Sequence, residues 1–247
     1  MAYRIILAAC VSLGLAGCGS SAAPIPATGK LPVLQAGLHR KSISVPNVGA
    51  VKCAIRIDES YTQSTPAPLV LVLHYGYDGS RPDAYTGADM METFGAAVRE
   101  IGGVAIAPDV VGGDWRSAMN ESAAVWLVKS AMNTYNIDAK QVYVTGYSMG
   151  GEGTWHIAGR HQDLFTGAIP VAAPVTGTTQ WKIPVYAIHS SQDQIVSYAD
   201  AKQHAASIEA AGGKIQFKTV TGLTHYAAGG YGAHVVAGVK WIRLNQK

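Results

Sequence analysis

Short apolar runs alternate with helix-like segments along most of the chain. Residues 43–45 and 51–57 flank Pro46, Asn47 and Gly49, and this spacing predicts a β-hairpin. Six further runs, which are short and mostly apolar, predict strands over residues 69–73, 104–107, 142–145, 168–171, 183–188 and 215–220. Such runs are typical of strands that are buried on both faces of a parallel sheet.

The segments between these runs carry apolar residues at helical spacing. Ala124, Leu127, Val128, Ala131 and Tyr135 fall on one face of a predicted helix. Comparable patterns predict helices over residues 89–101, 149–160, 198–211 and 231–244. Strands that alternate with helices favour an α/β fold, in which a mostly parallel sheet carries helices on both faces.

The first eighteen residues have a different character. Arg4 precedes an apolar stretch over residues 5–17, which is too short to span a bilayer. The stretch ends in Leu-Ala-Gly before Cys18 and resembles the bacterial lipobox, in which the cysteine thiol receives a diacylglycerol. The pattern predicts a lipoprotein signal peptide over residues 1–17, lipidation of Cys18, and an exported protein anchored in the bacterial cell envelope. If the cell is Gram-negative, the expected site of the anchor is the outer membrane. The alternative is an ordinary signal peptide in which Cys18 is incidental.

Small residues, polar residues and prolines follow Cys18 without periodicity. They predict a flexible tether over residues 18–40, and the lack of a later compositional break or internal repeat predicts one catalytic domain over residues 41–247. Cys10 lies in the leader, so the remaining thiol of the domain is Cys53, which an alternating apolar stretch predicts to be buried and inert.

Composition and charge exclude several classes of function. The chain has 247 residues, of which 48% are hydrophobic and 14% charged, so a disordered chain or a coiled coil is excluded. The net charge is +3, without a basic and aromatic stripe, which argues against nucleic-acid binding. No His or Cys cluster has the spacing of metal ligands, and the sequence predicts neither a metal nor a cofactor.

The strongest chemical signal is the Gly-x-Ser-x-Gly pattern over residues 146–150. The pattern alone is weak, but here it lies between a predicted strand and a predicted helix. A serine on such a sharp turn exposes its hydroxyl above the sheet, and the flanking glycines remove side chains that would collide. Ser148 is therefore the candidate nucleophile, and the backbone N–H of Met149 is a candidate oxyanion donor.

A serine nucleophile needs an imidazole and a carboxylate to activate it. Asp193 and His225 each follow a predicted strand, and the order Ser148, Asp193, His225 is that of α/β-hydrolases. Asp200 is the rival acid, although its place at a helix start is explained by the helix dipole. The other histidines are expected to have packing, surface or structural hydrogen-bonding roles: His74, His156, His161, His189 and His234.

The second oxyanion donor is expected from the loop after the strand over residues 69–73. Gly76 N–H is the first candidate and Tyr75 N–H the second, while the alternative is that the glycines of this loop serve only its turn.

From about residue 66 to the end, the chain resembles small bacterial α/β-hydrolases of the esterase and prolyl-oligopeptidase-like group, which includes predicted peptidases, feruloyl or acetylxylan esterases and polyhydroxybutyrate-depolymerase-like enzymes. The most specific stretch is GYSMGGEGTW over residues 146–155, supported by Ala-Pro-Asp over residues 107–109. The resemblance gives Ser148, Asp193 and His225 the roles of nucleophile, acid and base. The chain departs from the family at Tyr75 and Thr224, where glycine is usual, and at Ser190 before the acid.

Only a dozen residues separate the strands over residues 168–171 and 183–188, which is too few for a lid domain. An open cleft favours a small acyl group on a bulky alcohol, such as a polysaccharide or polymer ester. Aromatic residues in the loops at the strand ends are expected around its mouth: Tyr75, Tyr77, Trp115 and Tyr147. The sequence thus predicts a lipid-anchored serine esterase, with a serine peptidase and a non-catalytic surface lipoprotein as alternatives.

Overall fold

The computed structural model describes residues 29–76 and 83–246. The predicted signal peptide, Cys18, most of the predicted tether and Tyr77 lie outside these residues. Within them, eight strands form one sheet in the order β1-β2-β4-β3-β5-β6-β7-β8. The strands are β1 Gly37–Val45, β2 Gly49–Ile57, β3 Ala67–Leu73, β4 Val104–Pro108, β5 Ile137–Tyr147, β6 Gly167–Val171, β7 Val185–Ser190 and β8 Ile215–Val220.

The sheet is mostly parallel, as the sequence predicts. Strands β3 to β8 run parallel to one another, while β2 pairs antiparallel with both β1 and β4. The helices are α1 Thr86–Thr93, α2 Gly95–Ile101, α3 Ala118–Thr134, α4 Met149–Arg160, α5 Tyr198–Ala210 and α6 Gly232–Asn245.

Each face of the sheet is covered by its own set of helices. Alternate residues of β3 point to opposite cores: Leu69 and Leu71 pack with α3, α4 and α5, whereas Val70 and Val72 pack with α1, α2 and α6. The α/β-hydrolase type of fold is thereby confirmed. Cys53 is fully buried, and burial strongly raises the pKa of its thiol, in agreement with the predicted inert residue.

The packed domain begins earlier than residue 41, so the boundary of the predicted tether is wrong. Strand β1 starts at Gly37 and pairs along its whole length with β2. Leu31 is buried, and its N–H donates to Thr134 Oγ1 over 2.8 Å. An edge strand that exposes much of its surface lacks the apolar pattern by which the sequence would reveal it.

Three other boundaries differ from the predicted ones. Strand β5 starts at Ile137 rather than at residue 142, because its first residues are polar and partly exposed at the rim of the sheet. Strand β7 starts only after Pro184, which lacks a backbone donor. The helix predicted over residues 89–101 is two helices that meet at the buried Phe94.

Helix α1 starts three residues before its predicted bound because a side chain from elsewhere caps it. The carboxylate of Asp109 accepts hydrogen bonds from the N–H groups of Thr86 and Gly87, over 3.2 and 2.7 Å. These are free amino-terminal donors of the helix, which an anionic side chain stabilises. A residue that follows β4 thus sets the start of α1.

Strands β5, β7 and β8 end at the same edge of the sheet, here called the carboxyl edge, and the opposite edge is called the amino edge. Residues 172–184, between β6 and β7, form a loop without helix or strand. In the described ranges, no helix has the length and apolar character needed to cross a membrane.

Candidate active site

Ser148 occupies a strained turn between β5 and α4. Its backbone angles are φ 55° and ψ −117°, a region that residues other than glycine rarely adopt. Its N–H donates to the carbonyl oxygen of Val171 over 2.9 Å, which ties the turn to β6. Strain of this kind persists only where the surrounding structure enforces it, and such positions cluster at functional sites.

The two glycines of the motif allow the chain to pass close to itself. A Cβ on Gly146 would overlap the carbonyl group of Gly150, and one on Gly150 would overlap the carbonyl of Leu73. Both positions therefore exclude every larger residue. The spacing read from the sequence reflects this close approach of α4 to β3 and β5.

The structure brings together Ser148, His225 and Asp193 at the carboxyl edge. The hydroxyl oxygen of Ser148 lies 2.9 Å from Nε2 of His225, and Nδ1 of the same ring lies 2.8 Å from Oδ2 of Asp193. Because a carboxylate accepts hydrogen bonds, Nδ1 carries the proton and leaves the Nε2 lone pair directed at the serine hydroxyl. This is the arrangement required to withdraw a proton from Ser148.

Asp193 is held as an anion. Its side chain is fully buried, and Oδ1 accepts from the N–H groups of Ile195 and Val196 over 2.9 and 2.8 Å. Burial alone would raise the pKa of Asp193, but the hydrogen bonds from His225 and the two backbone groups outweigh it and lower the pKa. A charged acid at neutral pH stabilises a protonated His225.

The main chain of His225 is held at both of its polar groups. Its N–H donates to Oε1 of Gln194 over 3.1 Å, and its carbonyl oxygen accepts from the hydroxyl of Tyr147. The rings of Tyr147 and His225 also lie against each other, with centroids 5.5 Å apart. The acid loop and the serine turn therefore both fix the position of the imidazole.

A second imidazole contacts the same carboxylate oxygen of the acid. Nε2 of His189 is 3.3 Å from Oδ2 of Asp193 and 3.3 Å from the carbonyl oxygen of Val196. The ring is buried, and burial lowers the pKa of His189, although the nearby carboxylate opposes this shift. The predicted structural role of His189 is consistent with these contacts, which join the end of β7 to the acid loop.

The loop after β3 lies beside the serine turn. The N–H of Val110 donates to Nε2 of His74 over 3.1 Å, so the proton of this buried ring is on Nδ1, which is 2.6 Å from the carbonyl oxygen of Tyr75. The trans peptide that joins Tyr75 to Gly76 is planar, so the N–H of Gly76 points away from His74. Gly76 itself lies next to the side chain of Met149, the first residue of α4.

The rival residues lie elsewhere. Asp200 is exposed in the first turn of α5, where the Ser197 hydroxyl caps the helix. His156 and His161 both contact the carboxylate of Glu121 on α3, at 2.9 and 2.8 Å. Neither is near Ser148 in the described contacts.

A cavity of about 560 Å³ opens at Ser148 and His225. It is bordered by aromatic, small and hydroxyl side chains and by glycines: Tyr75, Gly76, Thr93, Tyr147, Tyr226, Ala227, Ala228, Gly229 and Gly230. The expectation that Trp115 lines the mouth is wrong, because this ring is buried below the loop and its Nε1–H donates to the carbonyl oxygen of His74 over 3.0 Å. Trp155, the last residue of the stretch over residues 146–155, is buried against Trp181 and so belongs to the core.

Sequence reasoning missed part of this lining. Tyr226 follows His225 directly, and its adjacency to the base was the available signal. Thr93, at the end of α1, carries no signal in the sequence, because tertiary packing alone brings it to the cavity. Over residues 29–76 and 83–246, no group of three or more His, Cys, Asp or Glu side chains could hold a metal ion.

Comparisons with known proteins agree with this fold. The model of the dienelactone hydrolase family matches residues 61–228. The chain belongs to the dienelactone hydrolase family, and its resemblance to esterase-type α/β-hydrolases is confirmed.

One curated relative is a bifunctional acetylxylan esterase/xylanase of Neocallimastix patriciarum. It is 31% identical over 75 residues, which are 29% of this chain and 11% of the relative. Among solved structures, a thermostable esterase has a TM-score of 0.68 at 19% identity, over 85% of this chain and 62% of that one. A ferulic acid esterase of Anaeromyces mucronatus has a TM-score of 0.62 at 14% identity, over 86% and 93%. At these identities the structures share the fold.

Proposed function

We propose that the chain hydrolyses carboxylic esters through an acyl-enzyme on Ser148. The observation that carries this proposal is the contact of 2.9 Å between Ser148 Oγ and His225 Nε2, on an imidazole whose other nitrogen is held by a buried carboxylate. A serine hydroxyl becomes an effective nucleophile only with such a base.

The reaction has two halves. Ser148 Oγ attacks the ester carbonyl carbon while His225 Nε2 takes the hydroxyl proton, and Asp193 stabilises the resulting imidazolium. The tetrahedral oxyanion accepts hydrogen bonds from the N–H groups of Met149 and Gly76. When the intermediate collapses, the bond to the alcohol oxygen breaks and His225 returns its proton to the departing alcohol.

The second half regenerates the enzyme. His225 removes a proton from a water molecule, whose oxygen attacks the acyl carbon, and the bond to Ser148 Oγ then breaks as His225 protonates the serine. The carboxylic acid leaves.

We propose a small acyl group on a large alcohol, such as an ester of a polysaccharide or polymer, as the substrate class. The loop over residues 172–184 contributes no residue to the described lining of the cavity, which suits a substrate that extends beyond the site. The local identity to an acetylxylan esterase/xylanase and the fold shared with a ferulic acid esterase support esters on polysaccharides.

We also propose that the protein is exported and anchored in the bacterial envelope through a lipid on Cys18. The motif that ends at Cys18 supports this proposal. Residues 29–32 contact Ser130, Thr134 and Tyr135, just before β5, and so lie at the amino edge. Cys18→Ala is expected to move the protein out of the membrane fraction, and an unchanged distribution would contradict the anchor.

The test of the activity is covalent labelling. A fluorophosphonate probe should label the purified protein, and peptide mass spectrometry should find the adduct on Ser148. An unlabelled protein, or an adduct elsewhere, would contradict the proposal. An ester and an amide of the same acyl group separate esterase from peptidase, and faster turnover of the amide would overturn the assignment as an esterase.

A further inference from the structure

The segment over residues 226–230 forms one wall of the cavity directly after the base. Its bends are held locally, since Ala227 N–H donates to the carbonyl of Thr224 over 3.1 Å and Gly230 N–H to that of Ala227 over 2.9 Å. All five residues of this wall, here called the base-side wall, border the same space as Ser148 and His225.

The chemistry of the proposed reaction decides which part of the substrate meets this wall. His225 Nε2 must reach the alcohol oxygen to protonate it as the ester bond breaks. The alcohol portion therefore lies on the side of His225, whereas the carbonyl oxygen lies on the side of Met149 and Gly76. The base-side wall continues from His225, so it borders the departing alcohol.

Tyr226 presents a largely exposed aromatic ring on this wall. The residue is 78% exposed, and its ring meets that of His225 edge to face, with centroids 6.2 Å apart. A large aromatic left in water beside a reacting centre offers a flat apolar surface and a polar tip, which suits a ring-bearing ligand.

Gly229 borders an open part of the cavity beside this wall, here called the floor. Its φ lies outside the left-handed region, and a Cβ placed on it would have no neighbouring atom within 4 Å. Gly230 differs, because its Cβ would press on the Leu223 side chain at 2.7 Å. Packing therefore restricts Gly230, whereas Gly229 is exposed on the border of the cavity and has room for a side chain.

We propose that the base-side wall is a subsite for the alcohol portion of the ester, that this alcohol is a sugar ring, and that Tyr226 stacks on it above the open floor at Gly229. The inference rests on the proposed esterase function and adds the place and the ring character of the alcohol. The cavity volume of about 560 Å³ supports it, because this volume lies in the range of sites that take ring-bearing ligands.

The first experiment varies the alcohol at a constant acyl group. The ratio of kcat/KM for acetylated methyl β-xyloside to that for ethyl acetate is measured in wild type, Tyr226→Ala and Tyr226→Phe. Tyr226→Ala should lower this ratio at least fivefold, mainly through KM, and Tyr226→Phe should restore most of it. An unchanged ratio in Tyr226→Ala would overturn the subsite.

The second experiment separates the alcohol side from the acyl side. With p-nitrophenyl acetate, the burst reports acylation and the later steady rate reports hydrolysis of the acetyl-enzyme, from which the alcohol has already left. Tyr226→Ala should lower the rate of the burst more than it lowers the steady rate. An equal loss in the steady rate would place Tyr226 against the acyl group and overturn the proposal.

Gly229→Phe tests the open space at Gly229 independently of the Tyr226 ring. The added side chain should lower the sugar-to-ethyl ratio at least tenfold while the melting temperature stays near that of wild type. A folded Gly229→Phe variant with an unchanged ratio would contradict the open floor. Leu244→Ala is the control, because Leu244 is exposed at the end of α6, next to a contact between Asn245 and Lys214 at the amino edge.

Different results would contradict the proposed esterase activity and the proposed subsite. If the wild-type protein neither reacts with fluorophosphonate nor cleaves either acetate, the proposed function is wrong and the subsite falls with it. If Ser148 is labelled and ethyl acetate is cleaved, but the ratios above do not move, only the subsite is wrong.

Discussion

The hydroxyl of Tyr147 donates a hydrogen bond to the main-chain carbonyl oxygen of His225. Tyr147 is the residue before Ser148, so the turn that presents the nucleophile also holds the base. The serine hydroxyl and the imidazole are thereby positioned by one rigid unit, although 77 residues separate them in the sequence.

Tyr147→Phe should therefore lower kcat with little change in KM for a small ester. The variant keeps the ring but loses one hydrogen bond, which corresponds to roughly a three- to tenfold decrease. Steady-state kinetics with p-nitrophenyl acetate measures the effect, together with the rate of fluorophosphonate labelling, which should fall in parallel.

Tyr143→Phe is the matched control. Tyr143 lies on the same strand and in the same core, but its hydroxyl faces Gln246 instead of His225. Equal kinetics in the two variants would show that the Tyr147 hydroxyl does not position the base.

Gly76→Pro tests the second oxyanion donor. Proline lacks the N–H, so kcat should fall about 100- to 1000-fold if this group stabilises the oxyanion. Gly76→Ala keeps the N–H, and its Cβ would meet Met149 at an ordinary distance of 3.8 Å, so it should lose much less activity. Similar kcat values for two folded variants would assign the donor to another residue of the loop.

The Glu121 cluster should make stability depend on pH. Glu121 accepts from Nε2 of His156, Nε of Arg160 and Nε2 of His161, over 2.9, 2.8 and 2.8 Å, which joins α3 to the end of α4. Burial alone would raise the pKa of Glu121, but these donors outweigh it and hold the pKa well below its usual value.

A carboxyl group whose pKa is lower in the folded state than in the unfolded state stabilises the fold. This stabilisation is complete above the usual glutamate pKa of about 4.3, and it is lost as the pH falls through the pKa of the folded state. Glu121→Gln should lower the free energy of unfolding at pH 7 by about 2 kcal/mol. The difference from wild type should shrink on acidification, as measured by urea unfolding between pH 7 and 3. Glu209→Gln, at an exposed position on α5, is the control. A difference that does not depend on pH would contradict the role of the charge.

The features of the fold and the site that depend on local sequence patterns were predictable. Apolar runs locate the strands of the parallel sheet, because strands covered on both faces admit few polar residues. The turn at Ser148 was predictable because steric overlap at Gly146 and Gly150 leaves glycine as the one residue that fits. Asp193 and His225 follow from the rule that functional side chains collect at the carboxyl ends of parallel strands.

Features that depend on contacts between residues far apart in the sequence could not be predicted. The first residues of β1, 37–40, were predicted as tether because they are at least partly exposed, and α1 starts where Asp109, from another part of the chain, caps it. Trp115 comes from a loop near the cavity but turns inward, because its Nε1–H finds a partner at His74. The open floor at Gly229 is visible only once its neighbours are placed.

Replacing Ser148 with alanine tests the central claim most directly. The variant keeps the fold and the His225–Asp193 pair but removes the oxygen that would form the acyl-enzyme. We expect kcat/KM for p-nitrophenyl acetate to fall at least about 10⁴-fold, with an unchanged circular dichroism spectrum and no fluorophosphonate adduct. A folded Ser148→Ala variant that retains turnover within tenfold of wild type would contradict the assignment of Ser148 as the nucleophile.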